Sequence, residues 1–186
     1  MLSEMIIFAK IKSKISIMES TTKLYSLKYT SATTYLFALV FIVGNILLPQ
    51  LCHLVRLGGP TMLPIYFFTL VGAYKYGWKV GLLTAILSPL INSALFGMPA
   101  VAVLPAILAK SLLLAIAAGY VANRFRCVTI PALLGVVLAY QVAGTLIEWV
   151  MVGNFYLAAQ DFRMGIPGML LQIFGGYALL KAIEKR

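Results

Sequence analysis

Lys110 is the residue that most demands a chemical explanation. It stands alone in the run Ala109-Lys110-Ser111-Leu112-Leu113-Leu114, 14 residues before Arg124, a separation of about 20 Å along a helix. In a chain that crosses a membrane such an ammonium lies inside the bilayer, at a cost of about 2.5–3.5 kcal/mol on insertion scales. Glu148 is the matching anion in another apolar run. The two either bracket a small polar ligand or pair directly with each other. Asn92, Gln141 and Gln172 stand in similar isolation; they either line the same pocket or hydrogen-bond between helices. Trp149, beside Glu148, and Tyr140, beside Gln141, have planar faces that suit a heterocycle, and Trp149 equally suits an interfacial anchor.

Other chemistry has less to work with. Cys52-His53 pairs a thiol with an imidazole, ligands that suit a soft metal or a cobalt centre. Two ligands with no carboxylate nearby in sequence do not make a site, so no metal or cofactor is assigned. Cys52 and Cys127 form neither a CxxC pair nor a disulfide framework. The chain has one histidine and lacks a nucleophile elbow, an HExxH motif and a P-loop. It is therefore read as a non-enzyme.

The elements that must position these residues follow from composition. The sequence is 62% hydrophobic and 11% charged, with mean hydropathy +0.97, far from a soluble domain. Its formal charge of +10 is spread over termini and short loops rather than one face, which argues against nucleic acid. Six spans are expected, at about 34–51, 61–74, 80–95, 101–121, 130–151 and 166–180, giving an all-α membrane bundle. The second is short and needs tilt or local thinning. Residues 80–126, two apolar runs joined at Gly97-Met98-Pro99, are the stretch around which the rest is arranged.

Residues 1–30 form a basic segment with five lysines. Its first 17 residues read either as a membrane-surface helix or as an over-long start with Met18 the initiator, and not as a signal peptide. Residues 31–186 form the membrane domain. An even number of spans places both termini on one side. Twelve basic residues fall on that side and two, Arg56 and Arg163, on the other, which puts both termini in the cytoplasm. With that orientation, Asn92, about 20 Å from Lys79, shares an outer depth with Lys110, Glu148 and Gln172, and Gln141 lies near mid-span. An outward-facing pocket accounts for this clustering. Small residues at Gly72, Ala73, Gly77 and Gly81, and at Ala115, Ala117, Ala118 and Gly119, let helices approach closely, within the bundle or against another subunit.

Over about residues 31–186 the pattern resembles the substrate-binding S component of an energy-coupling factor vitamin transporter. The resemblance rests on six short spans, both ends inside, a basic tail, polar residues in the outer half and the turn Tyr76-Gly77-Trp78-Lys79-Val80-Gly81. That turn is similar to the family's Tyr-Gly-Pro-Lys-x-Gly-like turn, with Trp78 where proline is common, and span one has no clean Ala-x-x-x-Ala. The resemblance implies a bacterial inner-membrane subunit that captures a water-soluble vitamin or precursor. Such a subunit docks with a transmembrane coupling protein and two ATPases. It also implies ligand contacts at Lys110, Glu148, Trp149, Asn154 and Gln172, with the loop at His53 and Arg56 as a lid. The alternative reading is a solitary or proton-coupled transporter in which Lys110 or Glu148 is a relay.

Overall fold

A long apolar run in lipid has to close its own backbone hydrogen bonds, and the helix does so within one segment. The computed structural model describes residues 27–54 and 58–184; the expectations for residues 1–17, most of the basic segment 1–30, and Arg56 lie outside the described residues. Helices α1 (Ala32–His53), α2 (Gly58–Met62), α3 (Phe67–Tyr76), α4 (Trp78–Phe96), α5 (Leu104–Phe125) and α6 (Ile130–Val152) are followed by the short α7 (Phe155–Ala158) and α8 (Gln160–Met164). The last apolar stretch is α9 (Ile166–Leu170), a π-helical turn (Leu171–Gly175) and α10 (Gly176–Glu184) in continuous succession. No strand occurs among the described residues.

Five stretches are long and apolar enough to cross a membrane: α1, α4, α5, α6 and Ile166–Glu184. Only 28–39% of their most apolar windows is buried inside the protein. Leu36, Leu39, Val40, Val43 and Leu47 of α1 point away from the bundle, a stripe that lipid rather than water solvates. The chain is a multi-pass helical membrane bundle.

The stretch expected as the second span is not one helix. Pro64 disfavours helical geometry at the residue before it, and Leu63 sits in the left-handed region at φ 46°, ψ 45°. The backbone breaks there into α2, a 3-10 turn over Pro64–Tyr66, and α3. With ten residues, α3 is only about 15 Å long. It is nonetheless the centre of the bundle: Leu70, Val71, Ala73 and Tyr74 have no exposed surface, and α1, α4 and α5 all pack on it. Non-helical backbone at membrane depth is tolerated where protein covers it, and here the last helical stretch does so. Gly168 lets it press on the Met62–Leu63 backbone, since a Cβ there would lie 2.4 Å from Met62 C and O.

Two features lock α3 in place. At one end, Gly77 adopts φ 99°, ψ 161°, which glycine reaches without strain. This lets the chain reverse so that Trp78 starts α4. Beyond the turn Gly81 meets Ala73 and Ala115, and its Cβ would fall 2.4 Å from Ala73 Cβ. The small residues at this end therefore serve packing within the bundle. Gly81→Val is expected to lower stability by about 1–3 kcal/mol, measured by denaturant titration in mixed micelles; Gly135→Ala, where a Cβ has open space, is the control expected to be neutral or stabilising.

At the other end Asn45 of α1 ties three helices together. Its Nδ2 donates to Thr69 Oγ1 of α3 at 3.0 Å and to Ser88 Oγ of α4 at 3.4 Å. Its Oδ1 accepts from Phe68 N at 3.1 Å. Phe68 is the second residue of α3, so this amide satisfies one of the N–H groups that a helix start leaves unpaired.

Candidate functional site

The site lies at the end of the bundle where α1, α4 and α6 finish and α5 begins. Lys110 is six residues into α5, 2% exposed. Its stem runs across Gly144 of α6, where a Cβ would lie 2.5 Å from Lys110 Cγ. The missing side chain at Gly144 thus makes room for the lysine. Its Nζ contacts Glu148 Oε2 at 2.5 Å and Asp161 Oδ2 at 2.7 Å. Glu148 comes from the last turns of α6 and Asp161 from α8 in the return loop. Three elements therefore meet in one ion triad, with the lysine buried behind two carboxylates whose side chains are each 18% exposed.

The triad forms one wall of a cavity of about 300 Å³, at the lower end of the range for small-molecule sites. Among the described residues His53, Gln160 and Tyr66 also bring polar groups to its lining; Leu63, Ile65, Met98, Val103 and Ile107 contribute apolar walls. Tyr66 also lines it and packs on Tyr140 with ring centroids 5.5 Å apart. The break at Leu63–Pro64 turns this segment into the cavity wall, which a straight helix there would not do. His53 rests its ring on Gly59, whose Cβ would fall 2.7 Å from Cε1, so the imidazole closes the α1 side.

Of the residues singled out by sequence, Lys110, Glu148 and His53 meet at this cavity. The other described ones go elsewhere. Asn92 is buried and donates from Nδ2 to Asn45 O and Ser88 O, both at 3.0 Å. It belongs to the α1–α4 contact. Gln172, on the π-helical turn, accepts at Oε1 from Tyr140 Oη at 2.9 Å. Gln141 is fully buried with neither amide atom hydrogen-bonded among the described residues. Trp149 is 45% exposed and meets Phe155 edge-on at 5.3 Å. Asn154 caps α7, its Oδ1 accepting from Tyr156 N and Leu157 N. Cys52-His53 gathers no group of three metal-ligating side chains among the described residues.

Asp161 is the site residue that sequence reasoning passed over as a loop polar group. A signal existed. Of five acidic residues, Glu148 and Asp161 alone fall between residues 20 and 183, and a buried lysine calls for such groups. Arg163, two residues on, is engaged elsewhere: its guanidinium stacks 3.6 Å from the Tyr156 ring centroid and donates to Tyr156 O.

The fold and this site together define a polytopic helical membrane protein with a charged cavity at one end of its bundle. No family model, curated protein or solved structure matches the chain.

Proposed function

We propose that this protein is the substrate-capturing subunit of an ATP-driven uptake system, an S component of the energy-coupling factor type. It binds a small water-soluble vitamin or precursor from outside a bacterial cytoplasmic membrane. The observation that carries the reading is the cavity of about 300 Å³ walled by Lys110, Glu148 and Asp161. It lies at the opposite end of the bundle from Lys75, Lys79, Arg124, Arg126 and Lys181, and on this reading the concentration of basic residues marks their own end as cytoplasmic and the cavity end as external. On this reading the broken segment from Gly58 to Tyr76 is the sixth crossing, and both termini are cytoplasmic.

The chain itself supplies recognition and no reaction. The ion triad and the His53 side hold the ligand, and partner subunits, a transmembrane coupling protein and two ATPases, supply the energy. The reading assigns no catalytic residue, metal or cofactor. Tagged protein purified from its native membrane is expected to bring down an ATPase-containing partner, and uptake is expected to stop on ATP depletion. Uptake by the chain alone in proteoliposomes, abolished by a protonophore, overturns this in favour of the proton-coupled reading, for which the two carboxylates on one buried ammonium are the supporting observation.

A further inference from the structure

We propose that the cavity selects a monocationic ligand with an apolar body, an aryl- or alkylammonium or a cationic heterocycle, accepted by Glu148 and Asp161. The inference rests on the capture reading above and names the chemical class that the site takes. Among the described residues that line the cavity, one formal positive charge, Lys110, faces two negative ones. The described wall therefore carries a net charge of one negative, and apolar side chains make up most of the rest of it.

Geometry decides which of these charges a ligand meets. Lys110 Nζ engages one oxygen of each carboxylate, Oε2 and Oδ2, and its side chain is 3% exposed against 18% for each partner. The ammonium stands behind; the carboxylates stand in front. Their second oxygens, Glu148 Oε1 and Asp161 Oδ1, have no hydrogen-bond partner among the described residues and remain able to accept from a donor. A cation placed there brings the cluster to neutrality and forms charge-assisted hydrogen bonds. An anion would raise the charge to two negative in a low-dielectric pocket, where like charges brought together cost heavily. The expected ligand contact at Lys110 is thus moved to its partners: the lysine spaces the carboxylates, and they make the contact.

Ser111, next to Lys110, and Thr145, one turn inward of Glu148, are buried at 0% and 4% exposure. Their hydroxyl oxygens have no hydrogen-bond partner among the described residues. Both sit immediately inward of the triad in the helices that carry it, and neither lines the cavity, so the ligand contact is left to the two carboxylates. The apolar walls at Leu63, Ile65, Met98, Val103 and Ile107 suit the body of such a ligand.

The test uses the full chain in lipid nanodiscs and three probes sharing one aryl body: phenethylammonium, phenethyl alcohol and 3-phenylpropionate, at millimolar concentration. Phenethylammonium is expected to bind by calorimetry and raise the thermal midpoint, and Glu148→Gln and Asp161→Asn are each expected to weaken it about tenfold or more. Equal or tighter binding of the alcohol or the carboxylate overturns the charge inference and leaves the capture reading standing. Unchanged ammonium affinity in both variants overturns it too, as does failure of all three probes to bind, because a net-negative apolar cavity of this size accommodates an aryl ammonium whatever larger ligand it also takes. Loss of the ATP requirement for uptake, by contrast, overturns capture for a coupled transporter without touching the charge selectivity.

Discussion

Lys110→Met is expected to destabilise the folded bundle by about 3–5 kcal/mol, the range for breaking a buried ion pair from one side. Methionine keeps the stem against Gly144, so the loss is electrostatic rather than a packing defect. Glu148 and Asp161, both held against the ammonium in the native protein, are left facing each other with no counter-charge. The triple variant Lys110→Met, Glu148→Gln, Asp161→Asn is expected to recover most of that stability, since neutral replacements of a whole buried ionic cluster are often neutral or stabilising. Unfolding by denaturant in mixed micelles measures both. If the single variant stays within about 0.5 kcal/mol of the native protein, as an ordinary surface change does, the triad does not hold the fold. A triple variant that folds but no longer binds ligand separates recognition from structure.

Asn45→Leu is expected to have the next largest effect, a loss of about 2 kcal/mol. Hydrogen bonds between membrane helices average only about 0.6 kcal/mol, so removing one such bond would be modest. Here the side chain makes three contacts, to Thr69, Ser88 and the Phe68 N–H. The last is the costly one, because an unpaired buried N–H carries a penalty of about 1–3 kcal/mol. Ser88→Ala removes only the 3.4 Å contact and is expected to cost a few tenths of a kcal/mol, within the scatter of ordinary substitutions. Equal losses in the two variants would show that the helix-start contact contributes nothing. Because α3 also presents Tyr66 to the cavity through the turn before it, Asn45→Leu is further expected to weaken ligand binding from a distance.

Much of this was readable from the chain. The long helices fall close to the expected spans: 34–51 against Ala32–His53, 80–95 against Trp78–Phe96, and 130–151 against Ile130–Val152. Lys110 and Glu148 were legible as a pair because a charge inside an apolar run has few ways to be satisfied. Pro64 was equally visible inside the stretch expected as the second span, and it marks the break at Leu63. The same break that shortens the helix turns the chain into the cavity wall. Residues 80–126 supply α4 and the lysine, but the element the others pack around is α3.

The site divided along the same line. Depth along a helix is set by rise per residue, so Asn92, Lys110, Glu148 and Gln172 could be placed at a shared level by arithmetic. Rotation about each helix axis, and the path of a loop, are set by packing. Trp149 follows Glu148 by one residue, about 100° around the helix, and that turn takes it out of the cavity to Phe155. What the sequence by itself determined is a membrane bundle, the register of its long helices and a buried charge that must be met. Both hydropathy and helical rise are local properties, which a linear chain displays. Only the tertiary structure decided that Asp161 completes the triad, that Asn92 turns to Asn45 instead, and that the carboxylates stand in front of the lysine. Lys110 and Asp161 are 51 residues apart, and their contact is made by packing and loop closure between elements that no local pattern records.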